Sequence, residues 1–186
     1  MKFLKRFGII LIVLGALFYF VGMPYLKKQT KKNSPEKTAN YTLEGAKLSV
    51  NYSSPSKKDR VIFGELVPYG QVWRTGANEP TTFSNTAEIM IIDKSLPAGK
   101  YSLWTIPGKE SWKIIFNEEI PEWGVTLLSG GKETTRDLDK DVLQVEVPVT
   151  PLLEPVENFT IDFENEVQLY VVLSWDKTKV SIPINK

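Results

Sequence analysis

The residues best equipped for chemistry lie together in Trp73-Arg74-Thr75-Gly76-Ala77-Asn78. An arginine beside a tryptophan offers a planar cation that can grip a carboxylate or phosphate through two N–H donors and stack on an indole. Gly76 permits a backbone with φ > 0, and the Asn78 amide can close a turn. Glu65, a little upstream, brings an acid to the same stretch. Trp73, Arg74, Asn78 and Glu65 are therefore the expected ligand-binding set. The competing expectation is architectural: Arg74 pairs with Glu65 or Glu79 and pins the loop over a sheet.

Other chemistries fall away on composition. The chain holds no His and no Cys, which removes thiol nucleophiles, Ser-His-Asp triads, haem ligation and zinc sites built on those residues. Asp137, Asp139 and Asp141 alternate like the start of a calcium loop, but the sixth position is Val142 and the twelfth is Pro148. A calcium loop needs Gly and a bidentate Glu there. Glu118, Glu119 and Glu122 could supply a carboxylate pair for glycoside hydrolysis, a chemistry that depends on a separation the sequence does not give. The expectation is of loop charges, no catalytic residue, no metal and no cofactor. Of the five tryptophans, Trp104 and Trp123 are expected to face outward and the others to fill a core.

The elements that must position these residues read as strands. Period-two alternation, the mark of half-buried strands, runs through Leu48–Tyr52, Tyr101–Thr105 and Trp112–Phe116. Further apolar or alternating runs are 89–92, 142–147, 159–163, 167–175 and 180–184. Turn residues separate them: Ser54-Pro55, Pro68-Tyr69-Gly70, Pro97-Ala98-Gly99, Pro107-Gly108, Gly130-Gly131 and Asp176-Lys177. Pro148, Pro151 and Pro155 predict an extended crossover rather than a central strand. No stretch beyond residue 40 keeps a helical apolar stripe free of Pro and Gly. Seven or eight short strands predict an all-β fold, an antiparallel β-sandwich of jelly-roll or Ig-like type, over 41–186.

Ahead of it stands a different kind of sequence. Residues 7–26 contain no charge and are flanked by Lys5-Arg6 and Lys27-Lys28. Twenty helical residues span roughly 30 Å, the hydrocarbon thickness of a bilayer. Residues 1–6 read as a basic tail, 7–26 as a transmembrane signal anchor, and 27–40 as a basic flexible linker. A cleaved signal peptide is the alternative, although the apolar run is long for one and no A-x-A site follows. Residues 1–40 hold eight basic side chains and one acid, so the remainder carries a net charge of −6. An acidic body argues against nucleic acid as a partner.

Several motifs carry a family resemblance. They are Asn51-Tyr52-Ser53-Ser54-Pro55-Ser56, Arg60-Val61-Ile62-Phe63-Gly64, Val67-Pro68-Tyr69-Gly70 and Val72-Trp73-Arg74-Thr75-Gly76-Ala77-Asn78. Leu96-Pro97-Ala98-Gly99-Lys100-Tyr101-Ser102-Leu103, Thr105-Ile106-Pro107-Gly108 and Trp123-Gly124 follow in order. Together, over about residues 45–175, they resemble the bacterial domain of unknown function 2911. The resemblance implies an extracytoplasmic β-rich domain behind an export signal, and it implies no established activity. The leading expectation is a non-catalytic, membrane-tethered cell-envelope domain, outside the cytoplasm, that binds a small molecule, glycan or protein. An envelope-glycan hydrolase using carboxylates with Arg74, or a purely structural envelope component, are the alternatives.

Overall fold

The computed structural model describes residues 2–126, 129 and 133–186, so the expected Gly130-Gly131 turn lies outside the described residues. The chain divides into two compact units, one ending at Asn33 and one running from Ser34 to Lys186. The first is helical: α1 (Lys2–Leu17), a π-helical turn (Phe18–Gly22) and α2 (Met23–Asn33). Helix 6–33 is long and apolar enough to cross a membrane or to serve as a signal sequence. Expected as a flexible linker, 27–40 is instead helical to Asn33 and extended from Glu36. Lysine and glutamine are good helix formers and continue the helix already nucleated by the apolar run.

The second unit is all-β and antiparallel. Its strands are β1 (Glu36–Leu43), β2 (Ala46–Ser53), β3 (Thr81–Asn85), β4 (Ile89–Ile91), β5 (Lys94–Leu96), β6 (Gly99–Pro107), β7 (Ser111–Asn117), β8 (Asp141–Asn165) and β9 (Leu169–Asn185). They form one nine-stranded hydrogen-bonded order, β1-β2-β3-β6-β7-β8-β9-β4-β5. The strands expected at 142–147 and 159–163 are the two ends of β8, and those at 167–175 and 180–184 are both β9. The prolines mark where β8 changes partner: it pairs with β7 as far as Pro148 and with β9 from Val149, with register shifts between Pro151 and Thr160. The stretch is extended, as expected, but belongs to a continuous strand whose irregularities absorb the missing N–H groups.

Inward positions of both halves of that order share one core. Val50, Phe83, Leu103, Ile114 and Phe116 lie in a single buried cluster with Phe159, Leu173, Trp175 and Ile182. Tyr52 meets Phe159 edge to face at 5.8 Å between ring centroids. The opposite face of β6 and β7 is buried too. Trp104, expected to face outward, is 0% exposed and Ile115 is likewise buried. Strand alternation puts both on the side away from Leu103 and Ile114. The chain leaving β7 closes that side: Ser102 donates to the Glu119 carbonyl at 2.5 Å, and the Asn117 amide donates to the Asp137 carbonyl at 2.6 Å. Trp104 Nε1 donates to Ser102 Oγ at 2.8 Å, so the buried indole keeps a partner.

Candidate functional site

The loop before β3 is clipped to β6 at its centre. Trp73 N–H donates to the Thr105 carbonyl at 2.7 Å and its own carbonyl accepts from Thr105 N–H at 3.0 Å. The partly buried Trp73 ring then packs against the core, beside Phe63, Trp112 and Phe159, and stacks on Trp175 at 6.0 Å and 15°. Its Nε1 donates to the Gly76 carbonyl at 3.0 Å, which closes the loop on itself.

Between these fixed points the backbone is left-handed at Thr75 (φ 57°), Gly76 (φ 146°) and Asn78 (φ 60°). A β-branched residue at positive φ is a genuine outlier, and such residues persist only where their surroundings over-determine them. The surroundings do so here. Thr75 is fully buried and donates from Oγ1 to Thr105 Oγ1 at 3.1 Å, while its carbonyl accepts from Thr81 Oγ1 at 2.5 Å. The buried Asn78 amide donates to the Ser34 carbonyl at 3.4 Å and to Ser53 Oγ at 3.5 Å. Trp73 and Asn78 thus shape the loop.

Arg74 is the side chain that this loop presents. It is half-buried, and its Nε is buried without a hydrogen-bond partner among the described residues. Burial lowers the pKa of its guanidinium, and the charge of Glu79 opposes that shift. Of the two acids the sequence offers, Glu79 therefore acts on Arg74, whereas Glu65 is exposed on the turn where Gly64 N–H bonds the Val67 carbonyl. The structure brings Trp73, Arg74 and Asn78 into one loop and leaves Glu65 at the surface. Glu118, Glu119 and Glu122 are all exposed, and Glu118 pairs with Lys140 at 3.1 Å.

The floor under Arg74 comes from a distant segment. A Cβ on Gly124 would stand 2.5 Å from Arg74 Cδ and 2.8 Å from Arg74 Cβ, so only glycine lets the arginine stem lie here. Gly124 N–H also reaches the Asn78 carbonyl at 3.5 Å. Sequence reasoning placed Trp123-Gly124 among the family motifs but gave it no part in the site. Gly124→Ala is expected to destabilise the protein by about 1–3 kcal/mol, because the blocking atoms include the root of the Arg74 side chain. A lowered midpoint with an unchanged slope in urea unfolding is the check.

A family model described as a protein of unknown function (DUF2911) matches residues 34–184. No curated protein and no solved structure matches the chain.

Proposed function

The chain belongs to the DUF2911 family, and we propose that it is a non-catalytic binding protein of the bacterial cell envelope that receives an anionic group at Arg74. In this reading residues 7–26 are a retained membrane anchor and the β domain stands outside the cytoplasm. Its partner is a small molecule, a glycan or a protein carrying a carboxylate or phosphate. Trp73 and Asn78 hold the loop, Arg74 makes the contact, and Glu65 lies at the exposed rim.

One observation carries the proposal: a desolvated guanidinium that keeps an unbonded Nε while its stem is fixed on Gly124. Taking a cationic donor out of water without a partner is unfavourable by about 1–3 kcal/mol, so such groups call for an explanation. A bound oxyanion supplies the missing acceptor and matches the charge. A purely architectural arginine would satisfy its donors within the fold. A hydrolase needs two carboxylates converging with the arginine, whereas Glu79 is the one whose charge bears on Arg74.

Arg74→Lys tests this, since it keeps the charge and removes the fork. The melting temperature of the wild type should climb as inorganic phosphate or acetate is raised at constant ionic strength. At a hundred times the dissociation constant the gain is about 2.7 kcal/mol. The lysine variant should melt within about 3 °C of wild type without the anion, a shift of about 1 kcal/mol, and climb less than wild type as the anion is raised. A large anion-independent fall in its melting temperature would make Arg74 architectural instead.

A further inference from the structure

A second arginine has unbonded donors, and it belongs to the segment that covers the outer face of β6 and β7. Val125 and Thr134 form an antiparallel bridge, beside which Gly124 and Thr135 are joined. Thr135 N–H donates to the Gly124 carbonyl at 3.4 Å, and Thr135 Oγ1 donates to the Trp123 carbonyl at 2.6 Å. Arg74 lies against Gly124, whereas Arg136 is held by Asp141.

The Arg136 side chain is only 6% exposed. Its Nη2 donates to Asp141 Oδ2 at 3.1 Å. The other Asp141 oxygen accepts from the Asn117 amide at 2.9 Å, and that amide also donates to the Asp137 carbonyl at 2.6 Å. The buried Asn117 thus fixes Asp141, and Asp141 fixes the guanidinium. Two donor nitrogens, Nε and Nη1, remain buried without a partner among the described residues. A single orphaned cationic donor is already rare in a folded protein, and here one fixed group carries two.

We propose that Arg136 binds a small oxyanion, a phosphate or a carboxylate, whose oxygens take the N–H groups of Nε and Nη1. Asp141 and Asn117 are positioning residues that hold the plane of the guanidinium. This site does not depend on Arg74.

The chain has only four arginines, Arg6, Arg60, Arg74 and Arg136. The Nε–H region of an ¹⁵N-correlated spectrum of the full chain in detergent micelles therefore holds four signals. Lysine substitution at Arg6, Arg60 and Arg74 in turn assigns them, leaving Arg136 by elimination, so no variant at Arg136 need fold. Inorganic phosphate, and separately acetate, is titrated against chloride at constant ionic strength. The Arg136 signal should move saturably with one or both anions while Arg6 and Arg60 stay still. Movement of Arg74 alone would overturn this inference and leave the Arg74 reading standing; movement of Arg136 alone would do the reverse. No saturable movement, or equal drift of all four signals, would overturn both. Arg136→Lys on the Arg74→Lys background, where it folds, should weaken the remaining anion-dependent rise in melting temperature at least tenfold in apparent affinity.

Discussion

Trp73→Ala is expected to lower the stability of the β domain by about 3–5 kcal/mol, the range for deleting a large aromatic from a packed core. Four other rings close on this one: Phe63 at 6.1 Å, Trp112 at 6.1 Å, Phe159 at 5.0 Å and Trp175 at 6.0 Å between centroids. The loss reaches beyond the void. Trp73 Nε1 holds the Gly76 carbonyl, and its backbone bonds Thr105 in both directions. Without the indole, the left-handed residues that follow lose one of the contacts that impose their conformation. For a domain of this size the melting temperature should fall by roughly 9–15 °C. Trp73→Phe separates the two contributions, because it keeps a ring and loses the Nε1 bond, a contribution of about 1 kcal/mol. A Trp73→Ala melt within about 2 °C of wild type, under 1 kcal/mol, would return the indole to the role of an exposed stacking surface.

That expectation for Trp73 shows where sequence reading works and where it stops. The loop itself was legible, since Gly76 and Asn78 are the residues that left-handed backbone favours, and both are left-handed here. An arginine at its centre was legible as well. The neighbouring indole carried two expectations, core filler and ligand contact, and what the rest of the chain brings to meet it decides for the core. Phe159 and Trp175 arrive from β8 and β9. The same limit governs Trp104. Alternation in β6 correctly set Leu103 and Trp104 on opposite faces, but the second face is closed by chain around Glu119 and Asp137, which no periodic pattern announces.

The strands follow a related rule. β2 was legible because buried apolar and less buried polar positions alternate along it. β6 and β7 were legible because Tyr101, Leu103 and Thr105, and Trp112, Ile114 and Phe116, recur at period two, although both faces of those two strands are buried. β3 was not, because its inward positions Thr81 and Asn85 are buried polar residues, flanking Phe83. Their hydrogen bonds explain the burial: Thr81 holds the Thr75 carbonyl, and the Asn85 amide donates to the carbonyls of Ala87, Leu96 and Pro97. β1 is an edge strand with little apolar content, and it pairs along the whole of β2 in register from Glu36 with Ser53 to Leu43 with Ala46. Pairing with a neighbour, which composition does not display, is what makes it a strand. Gly124 and Arg136 were missed for the corresponding reason: their roles come from Arg74 and Asp141 in space.

Gly76→Ala brings the local and the remote together, and its effect should be nearly as large as that of Trp73→Ala. At φ 146° an L-residue is strained, which alone contributes on the order of 1–3 kcal/mol. The added methyl would also stand 2.9 Å from the Ser53 carbonyl oxygen and 3.4 Å from Thr81 Oγ1. Ser53 ends β2, where its backbone is fixed by pairing with Glu36, and Asn78 binds its hydroxyl. The oxygen therefore cannot yield without disturbing both the sheet and the loop. Overlap with a backbone atom adds to the torsional strain, so the total should reach about 3 kcal/mol, or roughly 9 °C in melting temperature. The loop can relieve the overlap only by moving away from β2, and Arg74 moves with it. Loss of stability should therefore come with a weaker response to phosphate or acetate than Arg74 gives in the wild type. A variant that melts low yet keeps the full anion response would show that the Arg74 contact does not depend on the left-handed backbone beside it. The strain at Thr75 and Asn78 would then serve the fold alone.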